Sequence, residues 1–479
     1  MKFLILLFIL PKIVFGAYEL ETFLLKFREK PKAYLQRELQ RSLEDKFQIR
    51  KLLKQRTPTI KSEFEANDLA EVLVGDSVLS NIKIMEQKNL ENSKELLTRP
   101  WSDSYWPINQ GILGSRYADQ DFLYLEGWKE SYDFVQNTTS EYVLSQDDTE
   151  LIDSLSPSEK YDYVLGLSGS DSLTHAMWNE GRYYFERQGR VESWMGICHG
   201  WAAASYMLDR PQNKISVTAT DGKKVSFYPS DIKALASLLW AKASANINFI
   251  GGRCNDQSPE RDENGRIISQ NCQDSNPGTW HKSIVNMLGV HKRPFIMDAT
   301  YDYEVWNQPV LSYEYTYFNP LVDEKVALLD EAIISNEDYK NDPFKKYRSK
   351  KTKYIVGIEM MVTYLVETQA THRDYDTEEF DQSNRAFYVY DLELDENYNI
   401  IGGEWYRGGH PDFLWTPVTN ARALSNGDFF ILGDSHWDGK NIISKAWKQA
   451  GAQSAKYGEP LALLIESLIK LSNKKQENM

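Results

Sequence analysis

One stretch of the chain could support nucleophilic chemistry: residues 196–200 read Gly-Ile-Cys-His-Gly, and an alanine run follows them. The first glycine permits a sharp turn, and the segment after Cys198 has helical character until Pro211. Cys198 is therefore predicted in the first turn of a helix, near unpaired N–H groups and the positive end of the helix dipole. Such a position lowers a thiol pKa to roughly 3.5–7.5 in reactive cysteines. The alternative is a small buried cysteine that packs under the helix. His199 cannot be its partner, because adjacent side chains on a helix diverge.

The partners of this thiol are predicted farther along the chain. Two short apolar runs, 283–290 and 295–298, favour an antiparallel pair with its turn near Gly289. This pairing would place His281 opposite Asp298, within reach of one hydrogen bond. The carboxylate would fix the imidazole tautomer and direct the other ring nitrogen to Cys198. The residues thus predict a Cys-His-Asp triad, in the chain order of papain-like enzymes. The alternative is that His281 and Asp298 cap loops.

The chain has three cysteines, and the other two are Cys254 and Cys272. They flank a polar loop, and closing a loop of that size could contribute roughly 3 kcal/mol. We predict a disulfide between them, which leaves Cys198 as the odd thiol. A zinc site is disfavoured because the sequence has no closely spaced cysteine pair.

The first residues predict a secretory signal peptide: Lys2 precedes a short apolar run, and the small Gly16 marks a cleavage position. The run is too short to span a bilayer, and no later segment predicts a transmembrane helix. We therefore expect a secreted or periplasmic protein. A net charge of −14 argues against general nucleic-acid binding.

The pattern of the chain predicts five regions. They are a signal peptide over 1–16, an N-terminal helical segment and linker over 17–99, a catalytic region over 100–310, a β-rich region over 311–436, and C-terminal helices over 437–479. The basic N-terminal helix has three open interpretations: a pro-segment, a membrane-surface helix or a helix docked on the acidic body. Strands are predicted at 313–318, 354–366, 386–394 and 400–406, a hairpin turns at Asp221-Gly222, and Ser156 caps a helix.

These motifs resemble the transglutaminase elicitor family, which comprises secreted oomycete transglutaminases and their bacterial relatives. The matching stretches are 101–107, 155–162, 196–202, the Cys254/Cys272 loop, 276–278 with His281, Asp298 with 304–310, and 401–405 with 410–415. The resemblance implies an α+β fold: a papain/transglutaminase-like core, a β-rich C-terminal portion and flanking helical segments. It implies Cys198 as nucleophile, His281 as base and Asp298 as the orienting partner.

The implied activity is protein-glutamine γ-glutamyl transfer through a cysteine thioester. The donor would be a protein or peptide glutamine, and the acceptor a primary amine such as lysine or a polyamine. Trp194 and Trp280, close to the triad in sequence, are candidate oxyanion donors. No cofactor is required for this chemistry, and no metal-ligand set is predicted. Calcium is possible, although the loop at 262–265 lacks the full ligand spacing.

Two other functions remain open. One is a cysteine peptidase or amidase of the same fold that acts on peptide or cell-wall crosslinks. The other is a catalytically silent, secreted recognition protein. Fold and triad do not separate these from a transferase, because one site architecture hosts several activities.

Overall fold

The computed structural model describes residues 68–253, 260–262, 266, 275–299, 304–322, 324–406 and 409–474. The predicted signal peptide, the basic N-terminal helix and the loop cysteines Cys254 and Cys272 lie outside the described residues. Within the described ranges, no helix is long and apolar enough to cross a membrane.

Most of the described α-helices lie before residue 300. The described α-helices are Ala70–Val74, Ile82–Gln87, Gln120–Leu123, Gly127–Asn137, Ser140–Ser145, Thr149–Asp153, Pro157–Leu165, Leu173–Gln188, Cys198–Met207, Pro229–Lys242, Pro277–Ile284, Leu329–Ala332, Lys445–Ala455 and Ala462–Ser472. The predicted cap at Ser156 is confirmed: its side chain accepts from the backbone N–H of Glu159, and the Glu159 carboxylate reaches back to the Ser156 N–H.

Most of the described strands lie after residue 300. The described strands are β1 (Lys94–Glu95), β2 (Ile215–Thr218), β3 (Lys224–Phe227), β4 (Ile247–Gly251), β5 (Ile296–Asp298), β6 (Asn307–Asn319), β7 (Glu324–Val326), β8 (Ile334–Ser335), β9 (Tyr354–Val366), β10 (Gln382–Leu394), β11 (Ile400–Trp405) and β12 (Phe413–Pro417). The four predicted strands correspond to β6, β9, β10 and β11, and the predicted hairpin is the β2–β3 pair.

Ten of the described strands form one antiparallel sheet, with β11-β10-β9-β6-β5-β12-β4 as its main order. Strands β1 and β7 add to β6, and β8 adds to β9. The predicted border at residue 310 falls inside β6, so the β-rich region shares its sheet with β4 and β5 of the catalytic region.

Two apolar cores cover opposite faces of this sheet. Alternate residues along a strand point to opposite faces. On β5, Ile296 belongs to the first core and Met297 to the second; on β12, Trp415 belongs to the first and Leu414 to the second. The first core contains the Cys198 helix, and the second contains the helix that carries Trp280. The sheet therefore separates these two helices.

The predicted strand pair between 283–290 and 295–298 is wrong. Residues 277–284 are α-helical, and a π-helical segment, Val285–Val290, continues them. The helix has proper start signals, since the Asn276 side chain accepts from the Gly278 N–H and Pro277 holds the first position. Strand β5 pairs with β6 and β12 instead.

Candidate active site

Cys198 begins the Cys198–Met207 helix, as predicted. The start of this helix packs closely against the backbone of neighbouring segments. The Ile197 N–H donates to the Tyr105 carbonyl at 2.7 Å. A Cβ on Gly196 would lie 2.4 Å from the same oxygen, and one on Gly200 would lie 2.1 Å from the Ser237 carbonyl. Glycine on both sides of the cysteine thus lets its helix pack directly against neighbouring backbone.

Polar groups of Val305 and Asn307 contact the sulfur. The Cys198 thiol donates to the Val305 carbonyl, with 3.6 Å between Sγ and O. The side-chain amide of Asn307 donates to Sγ, with 3.5 Å between Nδ2 and Sγ. Trp415 orients this amide, because its indole N–H donates to Oδ1 of Asn307 at 2.7 Å. An indole nitrogen is a donor only, so Oδ1 must face it and Nδ2 must face the sulfur.

The pKa of Cys198 is raised to about 11, mainly because burial penalises the thiolate. Hydrogen bonds from Asn307 lower the pKa, whereas the charges of Glu367 and Asp298 raise it. The prediction of a lowered pKa is therefore wrong for this state of the protein. At neutral pH the thiol is protonated, and its proton must leave when the sulfur reacts.

His281 lies on the other face of the sheet. It is fully buried, its Nδ1 shares a hydrogen bond of 2.9 Å with the Tyr390 hydroxyl, and its ring contacts Tyr315 with centroids 4.8 Å apart. Both tyrosines belong to the second core. Burial lowers the His281 pKa to about 3, so the imidazole is neutral. The described structure does not bring His281 to Cys198, because the sheet lies between them.

Asp298 lies on the same face as Cys198, two residues after Ile296 on β5. Its Oδ1 accepts from the backbone N–H of Trp306 at 3.0 Å. It is paired with Asn307 in the β5–β6 register. Asp298 therefore stabilises the segment whose residues contact the sulfur, and this contact differs from the predicted role of orienting His281.

The two tryptophans predicted as oxyanion donors lie in different places. Trp280 is fully buried in the second core, so the described contacts do not place its indole at Cys198, and its role as an oxyanion donor stays a prediction. Trp194 is half-buried and donates its indole N–H to the Glu192 carboxylate at 2.7 Å.

Two functional candidates were missed by sequence reasoning. Asn307 stands in the motif at 304–310, but nothing in that motif shows that its amide meets the sulfur. Glu367 is the other, and its half-buried carboxylate accepts from Nε2 of Gln308 at 2.9 Å to each oxygen. Burial raises the Glu367 pKa. No sequence pattern distinguished this residue.

Two other polar groups are held by neighbouring side chains or backbone. His410 stacks on Trp405 with centroids 4.7 Å apart. Asp262 accepts from the Arg266 backbone N–H and from the Tyr347 hydroxyl. Within the described ranges, no group of three or more His, Cys, Asp or Glu side chains could hold a metal ion. A calcium requirement stays a prediction.

Residues 77–427 of the chain match the transglutaminase elicitor family. The chain belongs to this family. Its fold is similar to the crystal structure of the GP42 transglutaminase from Phytophthora sojae, with a TM-score of 0.52 and 20% identity over 82% of this chain and 99% of that one. At this identity the likeness shows the fold alone. No curated protein matches the chain. The matched range of this transglutaminase elicitor protein contains Cys198, Asn307 and Glu367.

Proposed function

We propose that this transglutaminase-like protein is a protein-glutamine γ-glutamyltransferase that works through a thioester on Cys198. The observation that carries the proposal is the contact of Asn307 with Sγ at the first turn of a helix. A thiol in that position has an amide donor beside it and backbone N–H groups at the helix start. This arrangement suits attack on a carboxamide.

In the first half-reaction, Sγ attacks the carboxamide carbon of a glutamine side chain. The C–S bond forms, the C–N bond breaks, and the thiol proton leaves with the ammonia. The backbone N–H of Cys198 and Nδ2 of Asn307 are the donors that would hold the developing oxyanion. In the second half-reaction an amine attacks the thioester, the C–N bond forms, and sulfur leaves as the thiol.

The described contacts of His281 are with Tyr390 and Tyr315, and they do not place it to act as the base for these proton transfers. Its role as base stays a prediction, and its burial among tyrosines of the second core supports a structural role instead. Asp298 is proposed to act through the backbone of Trp306, as a positioning residue.

The test is to incubate the purified protein with a glutamine-containing protein and a labelled primary amine. Ammonia release and amine incorporation are measured together, with Cys198→Ala as the blank. Comparable incorporation and ammonia release support the transferase. Ammonia release without incorporation at saturating amine would make the protein a hydrolase, and chain cleavage would make it a peptidase. No reaction in any arm would favour the silent recognition protein.

A further inference from the structure

The carboxylate of Glu367 is hydrogen-bonded to Gln308, the residue after Asn307, which contacts the candidate nucleophile. Glu367 follows β9 directly, between Leu365 of the first core and Thr368, whose N–H donates to the Asp103 carbonyl at 2.9 Å. Its charge raises the pKa of both Cys198 and Tyr105. Glu367 is therefore within electrostatic reach of the sulfur.

The carboxylate is held in place by the residue next to Asn307. Gln308 is buried, and its single amide nitrogen donates to both oxygens of Glu367 at 2.9 Å. Each carboxylate oxygen keeps further acceptor capacity. Glu367 is thus positioned by neutral donors, the Gln308 amide and its own backbone N–H, and no described ion pair neutralises its charge.

Two aromatic residues, Tyr105 and Trp306, adjoin the segments that contact the sulfur. Tyr105 and Trp306 are both half-buried, and their centroids lie 5.4 Å apart. The Tyr105 carbonyl accepts from Ile197, next to Cys198, and Trp306 lies between the two residues that contact Sγ. Aromatic faces attract alkylammonium groups through their negative π-systems. The rings offer an apolar wall for an unbranched stem.

The other nearby carboxylates are less suited to a cation. Asp298 is fully buried and accepts from the Trp306 backbone. Glu304 accepts from the indole N–H of Trp306 at 3.1 Å. Glu367 combines partial exposure with a hydrogen bond to Gln308, the residue after Asn307.

We propose that Glu367 binds the ammonium group of the acceptor amine and takes its proton, and this inference rests on the proposed function. The carboxylate removes one proton from the ammonium, and the free amine nitrogen attacks the thioester carbon. The C–N bond forms, the C–S bond breaks, a second N–H proton goes to sulfur, and Glu367 releases its proton to water. The substrate class is a primary alkylammonium on an unbranched stem, as in a lysine side chain or a polyamine.

The experiment compares wild type with Glu367→Gln for three nucleophiles. They are a labelled pentane-1,5-diamine, hydroxylamine, which is uncharged at neutral pH, and water, measured as ammonia release without added amine. A fourth arm uses a lysine-containing peptide and separates protein-bound lysine from free polyamine. We expect the substitution to raise the KM for the diamine about tenfold or more, since hydrogen bonds to charged groups are worth about 1.5–3 kcal/mol. Hydroxylamine transfer and ammonia release should stay within about twofold.

The matched control is Glu314→Gln, an exposed carboxylate on the same strand as Asn307. It should leave all four arms unchanged. An equal loss with every nucleophile in folded Glu367→Gln would overturn the inference, because the residue would then act in acylation or folding. An unchanged KM for the diamine would overturn it as well. If the proposed function itself is wrong, the wild type will release no ammonia that depends on Cys198. That result would overturn both the proposed function and the inference on Glu367.

Discussion

Trp415 donates its indole N–H to Oδ1 of Asn307 at 2.7 Å, and this bond decides which end of the amide faces Cys198. The two residues are 108 positions apart and lie on β12 and β6. The hydrogen bond from Asn307 to Sγ of Cys198 thus depends on a second hydrogen bond, from Trp415 to Asn307.

Asn307→Ala should lower kcat for ammonia release by about 10²–10³, the usual cost of removing one oxyanion donor. The KM for glutamine donors should change little, because the amide would act on the developing charge. Initial rates over a range of donor concentrations separate the two parameters. A change in KM alone would contradict the oxyanion role.

Trp415→Phe keeps an aromatic ring but removes the N–H, so the Asn307 amide can turn away from the sulfur. We expect about a tenfold loss of kcat, smaller than that of Asn307→Ala. The matched control is Trp447→Phe, which removes an indole N–H bonded to Asp434 in the C-terminal helical part. Equal losses in both variants would point to a general effect on folding.

The raised pKa of Cys198 predicts the pH dependence of its alkylation. Iodoacetamide reacts with the thiolate, so the rate should rise about tenfold per pH unit until the pKa near 11. Asn307→Ala removes the side-chain hydrogen bond that lowers this pKa and keeps the backbone one, so the variant should react more slowly at alkaline pH. Mass spectrometry of the labelled peptide gives the rates. A rate that levels off at neutral pH in the wild type would contradict the prediction.

His281→Gln tests whether the buried imidazole is structural. We expect the free energy of unfolding to fall by about 1–3 kcal/mol, because the Tyr390 hydroxyl loses a buried partner. Tyr390→Phe removes the same hydrogen bond from the other side and serves as the matched variant. Folded protein of either variant should keep its activity within about threefold. Abolished activity in His281→Gln with normal stability would support the prediction that His281 is the base.

Gly200→Ala tests the close approach of the Cys198 helix to its neighbour. The added Cβ would lie 2.1 Å from the Ser237 carbonyl, so the helices must move apart at a cost of about 1–3 kcal/mol. Thermal unfolding measures the loss. Gly252→Ala is the control, since a Cβ there meets no atom within 4 Å. Equal stability of the two variants would contradict the packing argument.

The sequence by itself determined the local structure around the candidate nucleophile and most of the sheet strands. A glycine before Cys198 and alanines after it predict the helix start, and β-branched and aromatic alternation predicts β6 and β9. The signals at these positions are short-range: caps, turns and side-chain periodicity act within a few residues. These local signals do not depend on how the rest of the chain folds.

Only the tertiary structure decided which side chains meet. A run such as 283–290 is apolar in either a helix or a buried strand, so its pattern could not tell the two apart. Once it is helical, His281 lies on one face of the sheet and Cys198 on the other. The partners that Cys198 does have, Asn307 and through it Trp415, come from distant strands. Their meeting is fixed by strand order and by which face each residue points to, and a local pattern carries neither.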